Sequence, residues 1–457
     1  MLLRHRGAGV DFLEAKAEDI DLQKKVITLS DCSNVPTEKP RKVPFDTLVV
    51  TVGATSATFG TPGVRENAHF LKEIPDALRI RTKIIDAFES ANISEDTKEI
   101  DRLLHFVVVG GGPTGVEFAA ELRDFIYEEV THLYPRVVAR ARVTLINAMG
   151  HLLNTYDVRI SEYCAKTFGR NEINVLKNTL VTAVGEKELT VKDVQNPEKT
   201  TTIPFSVCVW AAGLAPQDFT CKISEKLGDA QKRKGLLETD EYLRVLGAED
   251  YMYALGDCSS VRRPEISKVA KELFEECDTD KNGTVDFSEF RRALEILNKK
   301  YPQVDYTMEK AKDEFMREAF KKVGKEAGSS DGLTPDELQD CLAKIEGELK
   351  SFPATAQVAS QEGEWLAKRF KGRDQKPFRF HDKGIMAYVG GARAVIQSDV
   401  PSTIPFIGKT RAILSGMTVL YLWRGIYFSK MVSLRCKHLT FWDWVKAKVY
   451  GRDVSRL

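Results

Sequence analysis

The residues from Gly110 to Gly115 satisfy the spacing G-x-G-x-x-G, between a short β-branched run and a helix-forming segment. In that setting Gly110 allows a tight turn, Gly112 lets the backbone approach a pyrophosphate, and Gly115 lets helix and strand pack closely. The free N–H groups at the start of the helix would face the phosphates. The pattern predicts a dinucleotide site, and the alternative is a glycine-rich turn without a ligand.

The next predicted strand ends at Asn147, where such sites normally carry an acidic residue that binds the ribose 2′-hydroxyl. A carboxylate there would repel a 2′-phosphate, whereas a neutral amide would not. The hypothesis is therefore that NADPH is accepted or preferred, with NADH as the other candidate. The alternative is that Asn147 only forms the turn at the strand end.

A second set of residues has the composition and spacing of a calcium site. Residues 278–289 fit the twelve-residue EF-hand loop, which takes oxygens from fixed positions, turns sharply at a glycine and ends with a bidentate glutamate. The expected ligands are Asp278, Asp280, Asn282, the carbonyl of Thr284, Asp286 and Glu289, with Gly283 at the turn. The alternative is an acidic surface loop.

EF-hands usually occur in pairs, and residues 329–338 resemble a second loop. The distance along the chain from Gly332 to Glu337 is one residue shorter than that from Gly283 to Glu289. We therefore expect a degenerate loop that packs against the first and binds calcium poorly or not at all. One competent site favours regulation over calcium storage.

The order of predicted elements indicates how these residues are positioned. Apolar runs at 106–109, 142–147 and 207–213 alternate with helix-forming segments. The order strand, glycine turn, helix, strand is typical of a doubly wound parallel sheet, so the fold class is α/β. From Arg263 to about Lys350 strand signals vanish and helix formers dominate, which predicts a helical insert around the calcium loop.

Composition excludes several classes of protein. The chain has 457 residues, with Lys+Arg 67 against Asp+Glu 66, so bulk charge does not predict nucleic-acid binding. Its eight cysteines include no C-x-x-C pair, which argues against a disulfide scaffold, a zinc ribbon and a disulfide reductase of similar build. No apolar run approaches the length of a membrane-spanning helix.

The C-terminal stretch 411–449 interleaves aromatic and aliphatic residues with bases. Three of the five tryptophans of the chain, Trp423, Trp442 and Trp444, lie within it. This composition suits an amphipathic helix that lies in a membrane interface rather than one that crosses it. The alternative is a helix that packs on the core and has a basic outer face.

Several stretches together resemble one family, the type II (alternative) NAD(P)H:quinone dehydrogenases, in the mitochondrial form that carries an EF-hand insert. The stretches cover essentially the whole chain and follow the order of the family. They are DTLVVTVGATSATFGTPGV (46–64), FVVVGGGPTGVEFAAEL (106–122), VWAAGLAP (209–216), YALGDCSSV (253–261), PATAQVASQEGEWLA (353–367), GIMAYVGGARAV (384–395) and YGRDVS (450–455).

The resemblance implies two Rossmann-type domains, for FAD and for the nicotinamide cofactor, followed by a C-terminal membrane-binding region. Thr51 and Gly53 would line FAD, and Gly256 would let the backbone approach it. Asp257 would hydrogen-bond its ribityl or pyrophosphate part. Two further residues, Ala212 and Gly213, would line the nicotinamide side. The alternative is that these are ordinary turns at sheet edges.

Three more residues receive catalytic roles from the resemblance. Gln357 and Gln361 fit the A-Q-x-A-x-Q pattern of the quinone pocket beside the flavin, and their i, i+4 spacing puts both amides on one helical face. They would otherwise be ordinary polar helix residues. Glu117 is similar to a glutamate placed near flavin and nicotinamide, and its alternative is a carboxylate that complements a helix N-terminus.

The start of the chain departs from the family, which opens with a first G-x-G-x-x-G for FAD. No such motif stands before residue 110, so we expect an N-terminally truncated chain, which puts its binding of FAD in question. The predicted domains follow one another along the chain. They are 1–100 (the remaining FAD domain), 101–235 (NAD(P)H domain), 236–262 (FAD domain, second part), 263–350 (EF-hand insert), 351–400 (FAD domain and quinone site) and 401–457 (membrane-interface region).

The function that these features imply is hydride transfer from NADPH or NADH to FAD and electron transfer to a membrane quinone, without proton pumping and under calcium control. The chain would bind peripherally to the mitochondrial inner membrane on the intermembrane-space side, with a homodimer as a candidate assembly. The alternative is a non-catalytic, calcium- and nucleotide-binding remnant of such an enzyme.

Overall fold

The computed structural model describes residues 9–31, 40–233, 235–308, 332–349, 351–373, 376–399, 411–431 and 433–452. The chain divides into two compact units. Within the described residues, the first unit comprises 55–214 and 383–452, and the second comprises 9–54 and 215–382. The predicted domain bounds differ from these divisions and stay predictions.

The strands are numbered in chain order. They are β1 (Ala15–Asp21), β2 (Val26–Asp31), β3 (Arg41–Pro44), β4 (Leu48–Val50), β5 (Ala54–Ser56), β6 (His69–Phe70), β7 (His105–Val109), β8 (Arg142–Ile146), β9 (Ile173–Leu176), β10 (Thr179–Val184), β11 (Glu188–Asp193), β12 (Thr200–Pro204), β13 (Val207–Trp210), β14 (Leu214–Pro216), β15 (Leu237–Thr239), β16 (Met252–Ala254), β17 (Ser259–Val261), β18 (Ile385–Gly390), β19 (Arg393–Asp399) and β20 (Arg411–Gly416).

The α-helices follow the same order. They are α1 (Val64–Asn67), α2 (Ile74–Ile93), α3 (Thr97–Leu103), α4 (Pro113–Phe125), α5 (Thr131–Leu133), α6 (Val158–Arg170), α7 (Asp218–Leu227), α8 (Ala270–Cys277), α9 (Phe287–Lys300), α10 (Pro302–Met308), α11 (Pro335–Glu348), α12 (Ala356–Phe370), α13 (Met417–Lys430) and α14 (Leu434–Tyr450). Short 3₁₀ turns span Val138–Arg140, Gly228–Ala230, Gly256–Cys258 and Ile266–Val269, and a π-turn spans Ile126–Val130.

The first unit is built on a five-stranded parallel sheet in the order β6-β13-β7-β8-β9. Every residue of β7 is buried, as expected for a strand covered on both faces. The sheet confirms the predicted α/β fold. An antiparallel sheet, β18-β19-β20, packs against α4 and contributes to the same hydrophobic core.

The second unit combines an antiparallel sheet, β1-β2-β3, with two parallel pairs, β4-β16 and β15-β17. The predicted helical insert is confirmed in its described part, which holds α8 to α11. Its apolar side chains form a separate core that includes Leu273, Phe290, Leu294 and Leu338. Helix α12 packs on the turn Gly256–Cys258.

The C-terminal helices α13 and α14 belong to the first unit. Leu420 of α13 is buried in the core of that unit, whereas large apolar side chains of both helices are exposed. The exposed ones include Tyr421, Leu422, Leu434, Leu439, Phe441 and Trp442. Among the described residues, no helix combines the length and the apolar character needed to cross a bilayer.

Candidate functional site

The glycine loop of the first unit has the geometry that its spacing predicts. Gly110 has a φ of 118°, and a Cβ on Gly115 would lie 1.9 Å from the Gly110 carbonyl oxygen. Gly112 stands at the start of α4, and a Cβ there would meet no described atom within 4 Å. The conformation of Gly110 and the close packing at Gly115 thus require glycine. The space beside Gly112 is open, and a phosphate would approach there.

Asn147 is buried directly after β8 and bonds its own turn. Its Nδ2 donates to the carbonyl oxygens of Met149 and His151, both at 2.9 Å. A Cβ on Gly111 would lie 2.5 Å from Cγ of Asn147, so the amide supports the glycine loop. The turn-forming role is therefore visible in the structure, and the role in cofactor selection stays a prediction.

Ala212 and Gly213 follow β13, the neighbour of β7 in the parallel sheet. Gly213 has a φ of 73°, and a Cβ on it would lie 2.2 Å from the ring of Phe59. Because the carboxyl ends of parallel strands meet at one edge, these residues share an edge with Gly110 and Asn147. This is the edge where doubly wound sheets bind ligands.

Glu117 lies on α4 beyond its first turn, which contains no acidic residue. Its Oε1 accepts a hydrogen bond of 3.0 Å from the backbone N–H of Tyr388 in β18. Burial, reinforced by the charge of Glu121, raises the pKa of Glu117 to about 7 despite this bond. The indole of Trp423 on α13 lies beside the carboxylate and favours its charged form. Glu117 is thus half-buried and bonded to β18 rather than to the N-terminus of its helix, and its catalytic role stays a prediction.

The predicted FAD residues of the second unit also meet at one sheet edge. Strands β4 and β16 pair in parallel, and the N–H of Leu255 donates to the Val50 carbonyl oxygen at 3.0 Å. The edge carries Thr51 and Gly53 after β4, and Gly256 and Asp257 after β16. Gly53 and Gly256 have φ values of 65° and 70°, which favour glycine.

Glu362 is a residue of this edge that sequence reasoning missed. Its Oε2 accepts a hydrogen bond of 2.7 Å from the Gly256 N–H. Burial raises its pKa to about 7, and the charge of Asp257 adds to the rise. Glu362 stands four residues after the buried Val358 and three before the buried Trp365. A carboxylate on the apolar face of a helix was the signal that could have found it.

The two predicted quinone residues lie on α12. Gln361 forms a reciprocal pair with the backbone of His381: Nε2 donates to the His381 carbonyl oxygen, and Oε1 accepts from its N–H, both at 3.0 Å. Gln357 is half-buried one turn earlier. The helix fits closely on the cofactor turn, since a Cβ on Gly256 would lie 3.2 Å from Cβ of Ala359. The structure therefore places both glutamines on the helix that covers the Gly256–Asp257 turn.

The calcium loop brings its predicted carboxylates together. Asp278, Asp280 and Glu289 each offer an oxygen, and these oxygens lie within 4.8 Å of one another. The Asp278 carboxylate accepts from the N–H groups of Asn282 and Gly283, both at 3.1 Å. This donor set of clustered hard oxygens, with φ of 79° at Gly283, fits Ca²⁺.

The other predicted ligands also belong to this ordered loop. Thr284 N–H donates to Oδ1 of Asn282 at 2.8 Å. Asp286 caps α9 by accepting from the N–H of Glu289 at 2.8 Å, and Oε2 of Glu289 accepts from the Asp286 N–H at 3.1 Å. The loop and the first turn of α9 thus share the same carboxylates.

The second loop packs against the first in its described part. Val285 and Leu333 exchange two backbone hydrogen bonds of 2.8 and 2.7 Å. A Cβ on Gly332 would lie 2.6 Å from Oγ1 of Thr284. The expected contact between the loops is confirmed, while residues 329–331 of the second loop lie outside the described residues.

Comparison with known proteins assigns the chain to families along its length. The profile described as pyridine nucleotide-disulphide oxidoreductase matches residues 2–272, the EF hand domain matches 269–297, and the NDH2 C-terminal domain matches 382–453. A solved structure, NDH2 from Plasmodium falciparum in complex with NADH, superimposes with a TM-score of 0.82 at 27% identity, over 97% of this chain and 85% of that one.

Curated relatives match over nearly the whole chain. The External alternative NAD(P)H-ubiquinone oxidoreductase B2, mitochondrial, of Arabidopsis thaliana is 35% identical, covering 99% of this chain and 79% of its own length. The External alternative NADH-ubiquinone oxidoreductase, mitochondrial, of Yarrowia lipolytica is 34% identical, covering 100% and 70%. These matches confirm the resemblance drawn from the motifs. The chain belongs to the alternative (type II) NAD(P)H:quinone oxidoreductases, in the form that carries an EF-hand.

Proposed function

We infer that this chain is an FAD-dependent oxidoreductase that takes a hydride from NADPH or NADH, reduces a membrane quinone and is regulated by calcium. The observation that carries this inference is the position of α12. The helix bears Gln357 and Gln361 and packs on the Gly256–Asp257 turn, where the parallel pair β4-β16 ends. The match of 99% of this chain to an NAD(P)H-ubiquinone oxidoreductase favours this function over a non-catalytic remnant.

We propose that Thr51, Gly53, Gly256 and Asp257 hold FAD. The two glycines, with positive φ values, let the backbone approach the cofactor, and Asp257 offers a carboxylate to its hydroxyl groups. FAD, when bound, accepts a hydride and passes electrons on. The residues of the chain position the reactants, exclude water and hold protons.

The nicotinamide cofactor would bind along the edge that carries Gly110, Gly112, Gly115, Ala212 and Gly213. The pyrophosphate would lie on the N-terminus of α4, which offers N–H groups and the positive end of the helix dipole. The neutral amide at position 147 presents no charge against a 2′-phosphate. We therefore propose that NADPH and NADH are both accepted.

The quinone headgroup would lie against Gln357 and Gln361, whose amides can donate to its oxygens. Quinone reduction also takes up protons. Glu117 is half-buried and Glu362 is buried, and desolvation raises the pKa of each to about 7, so each can hold a proton at neutral pH. We propose that Glu117 has a catalytic role on the nicotinamide side of the first unit, and that Glu362 steadies the Gly256 turn through its hydrogen bond.

We propose that α13 and α14 bind the membrane surface, because they expose aromatic and aliphatic side chains beside bases such as Arg424 and Lys430. The names of the relatives place those proteins in mitochondria. The proposed location is the mitochondrial inner membrane, bound peripherally on its intermembrane-space side, with a homodimer as the assembly to test.

A visible absorbance spectrum of the purified chain tests the function first. We expect flavin bands that bleach when NADPH is added without oxygen and return when a short-chain ubiquinone follows. NADPH:ubiquinone activity should rise with calcium and fall with a chelator. A protein without flavin bands and without activity would support the non-catalytic alternative instead.

A further inference from the structure

Calcium control requires a physical connection between the calcium loop and the reacting site, and the second unit contains one. Helix α9 starts at the loop, because Glu289 lies in its first turn and Asp286 caps it. The other end of the helix carries the carbonyl oxygens of Asn298 and Lys299. A change in the position of the calcium ligands would therefore be transmitted along α9 to its distal end.

The guanidinium of Arg379 binds that distal end. Its Nη2 donates to the Asn298 carbonyl oxygen at 2.8 Å and to that of Lys299 at 3.2 Å. These are among the last carbonyl groups of α9, which lack partners within the helix. A cation at a helix C-terminus also interacts favourably with the helix dipole. Arg379 therefore recognises the end of α9 through charge and geometry together.

The residues on either side of Arg379 are anchored in an aromatic cluster. Phe378 and Phe380 are buried, and both pack against Phe352 with ring centroids 5.8 Å apart. The Phe378 ring also contacts Trp365 of α12. Buried rings on both sides of Arg379 fix this segment, so the segment cannot absorb a shift at Arg379 by flexing freely.

Two residues further on, the same segment holds the predicted quinone residue. The backbone of His381 makes both hydrogen bonds of the Gln361 amide, at 3.0 Å each. This pair decides which way the amide of Gln361 points. An unbroken chain of contacts thus runs from Glu289 through α9, Arg379 and His381 to Gln361.

We propose that Arg379 is a positioning residue that couples calcium binding at residues 278–289 to the orientation of Gln361, and thereby to quinone binding. The proposal rests on the proposed quinone role of Gln361. With calcium bound, α9 is held at its first turn, and its end presents both carbonyl groups to Arg379. The segment 378–381 then holds Gln361 in the orientation that serves the quinone. Without calcium the contact between Arg379 and the end of α9 weakens, Gln361 is oriented less firmly, and the quinone binds less tightly.

Steady-state kinetics with short-chain ubiquinone tests the coupling, with calcium and with chelator. In the unaltered chain we expect calcium to lower the quinone KM by roughly fivefold or more, a typical coupling between two sites. In Arg379→Gln this ratio should fall to near one, and Arg379→Lys, which keeps a donor, should restore part of it. Turnover with ferricyanide, which needs no quinone amide, should stay unchanged in both variants.

The matched control is Arg373→Gln, an exposed arginine between α12 and β18 that makes no described contact with α9. It should keep the calcium ratio of the unaltered chain. An unchanged ratio in Arg379→Gln would overturn the proposal, as would a calcium effect confined to the NADPH KM. If Gln361→Ala leaves the quinone KM unchanged, the assigned quinone site is wrong, and that outcome is distinct from a failure of Arg379.

Hydrogen exchange tests the same connection in the unaltered protein, in case Arg379→Gln does not fold. The His381 N–H donates to Gln361, so calcium should slow its exchange if the connection transmits. Calcium affinity should likewise rise when short-chain ubiquinone is present, because coupling between two sites is reciprocal. If calcium leaves the exchange of His381 unchanged, Arg379 does not couple the two sites.

Discussion

Glu117 in the first unit is half-buried and Glu362 in the second is buried, and both carboxyl groups have a raised pKa. Each accepts one backbone N–H, and burial raises each pKa to about 7. Their surroundings differ, because Glu117 is bonded by Tyr388 of the C-terminal sheet, whereas Glu362 is bonded by Gly256 of the cofactor turn itself. A change in the protonation of Glu117 would therefore alter a hydrogen bond to β18, whereas a change in that of Glu362 would alter a hydrogen bond to the turn.

The largest effect is expected where the first unit depends on a glycine. In Gly115→Val the new side chain would overlap the Gly110 carbonyl oxygen, and overpacking of this kind costs about 3 kcal/mol. We expect kcat/KM for NADPH to fall roughly 100-fold or more, while flavin stays bound to the second unit. Gly169→Ala on α6, where a Cβ meets no described atom within 4 Å, is the control. Loss of flavin together with NADPH activity would contradict the proposal that the first unit binds the nicotinamide cofactor and the second binds FAD.

The pH dependence of stability compares the two glutamates directly. The folded chain keeps the Glu362 proton up to about pH 7, whereas an unfolded glutamate releases it near 4.5. Stability is therefore greatest below about pH 4.5 as far as this group is concerned. The free energy of unfolding falls by at most about 3 kcal/mol as the pH rises from 4.5 to 7.

Glu362→Gln should remove this fall, because the amide cannot ionise and still accepts from Gly256. Glu117→Gln should remove a fall of similar size in the same pH range, since the pKa of Glu117 is raised equally. Chemical denaturation at several pH values measures both, with the exposed Glu364→Gln as control. If Glu362→Gln keeps the pH slope of the unaltered chain, its carboxyl group does not stay protonated in the fold.

Calcium should act on the second unit and leave the first unaffected. Glu289→Gln removes a charged ligand oxygen, so calcium affinity should fall at least about tenfold. Hydrogen exchange should show calcium-dependent protection of α8, α9 and α11 that this variant loses, while α4 and β7 exchange alike in both states. Glu295→Gln, an exposed glutamate of α9, should keep the affinity. Calcium titration that gives equal affinities for both variants would contradict the ligand assignment.

The smallest effect concerns the choice of nicotinamide cofactor. Because Asn147 carries no charge, a 2′-phosphate meets no repulsion, and we expect the KM values for NADPH and NADH to differ by less than about tenfold. Steady-state kinetics with each cofactor measures this ratio. A preference for NADH well beyond tenfold would show that another group excludes the phosphate.

The sequence predicts best those features whose residues are contiguous. The loop from Gly110 to Gly115 and the loop 278–289 could be recognised because backbone geometry and ligand spacing fix them locally. The contacts of Glu362 and Arg379 could not be predicted, since their partners Gly256 and Asn298 lie 106 and 81 residues away. Such contacts depend on which faces of the elements meet, and the local pattern of residues does not reveal that.

The bridge between Val285 and Leu333 bears on how the insert can evolve. The bridge uses backbone atoms only, so it depends on the path of the chain. The Leu333 side chain is buried, so this position also needs an apolar residue. The bridge does not require oxygen ligands in the second loop. Selection can therefore let the ligand positions of that loop drift while keeping its fold. The backbone bridge would brace the first loop whether or not the second loop binds an ion.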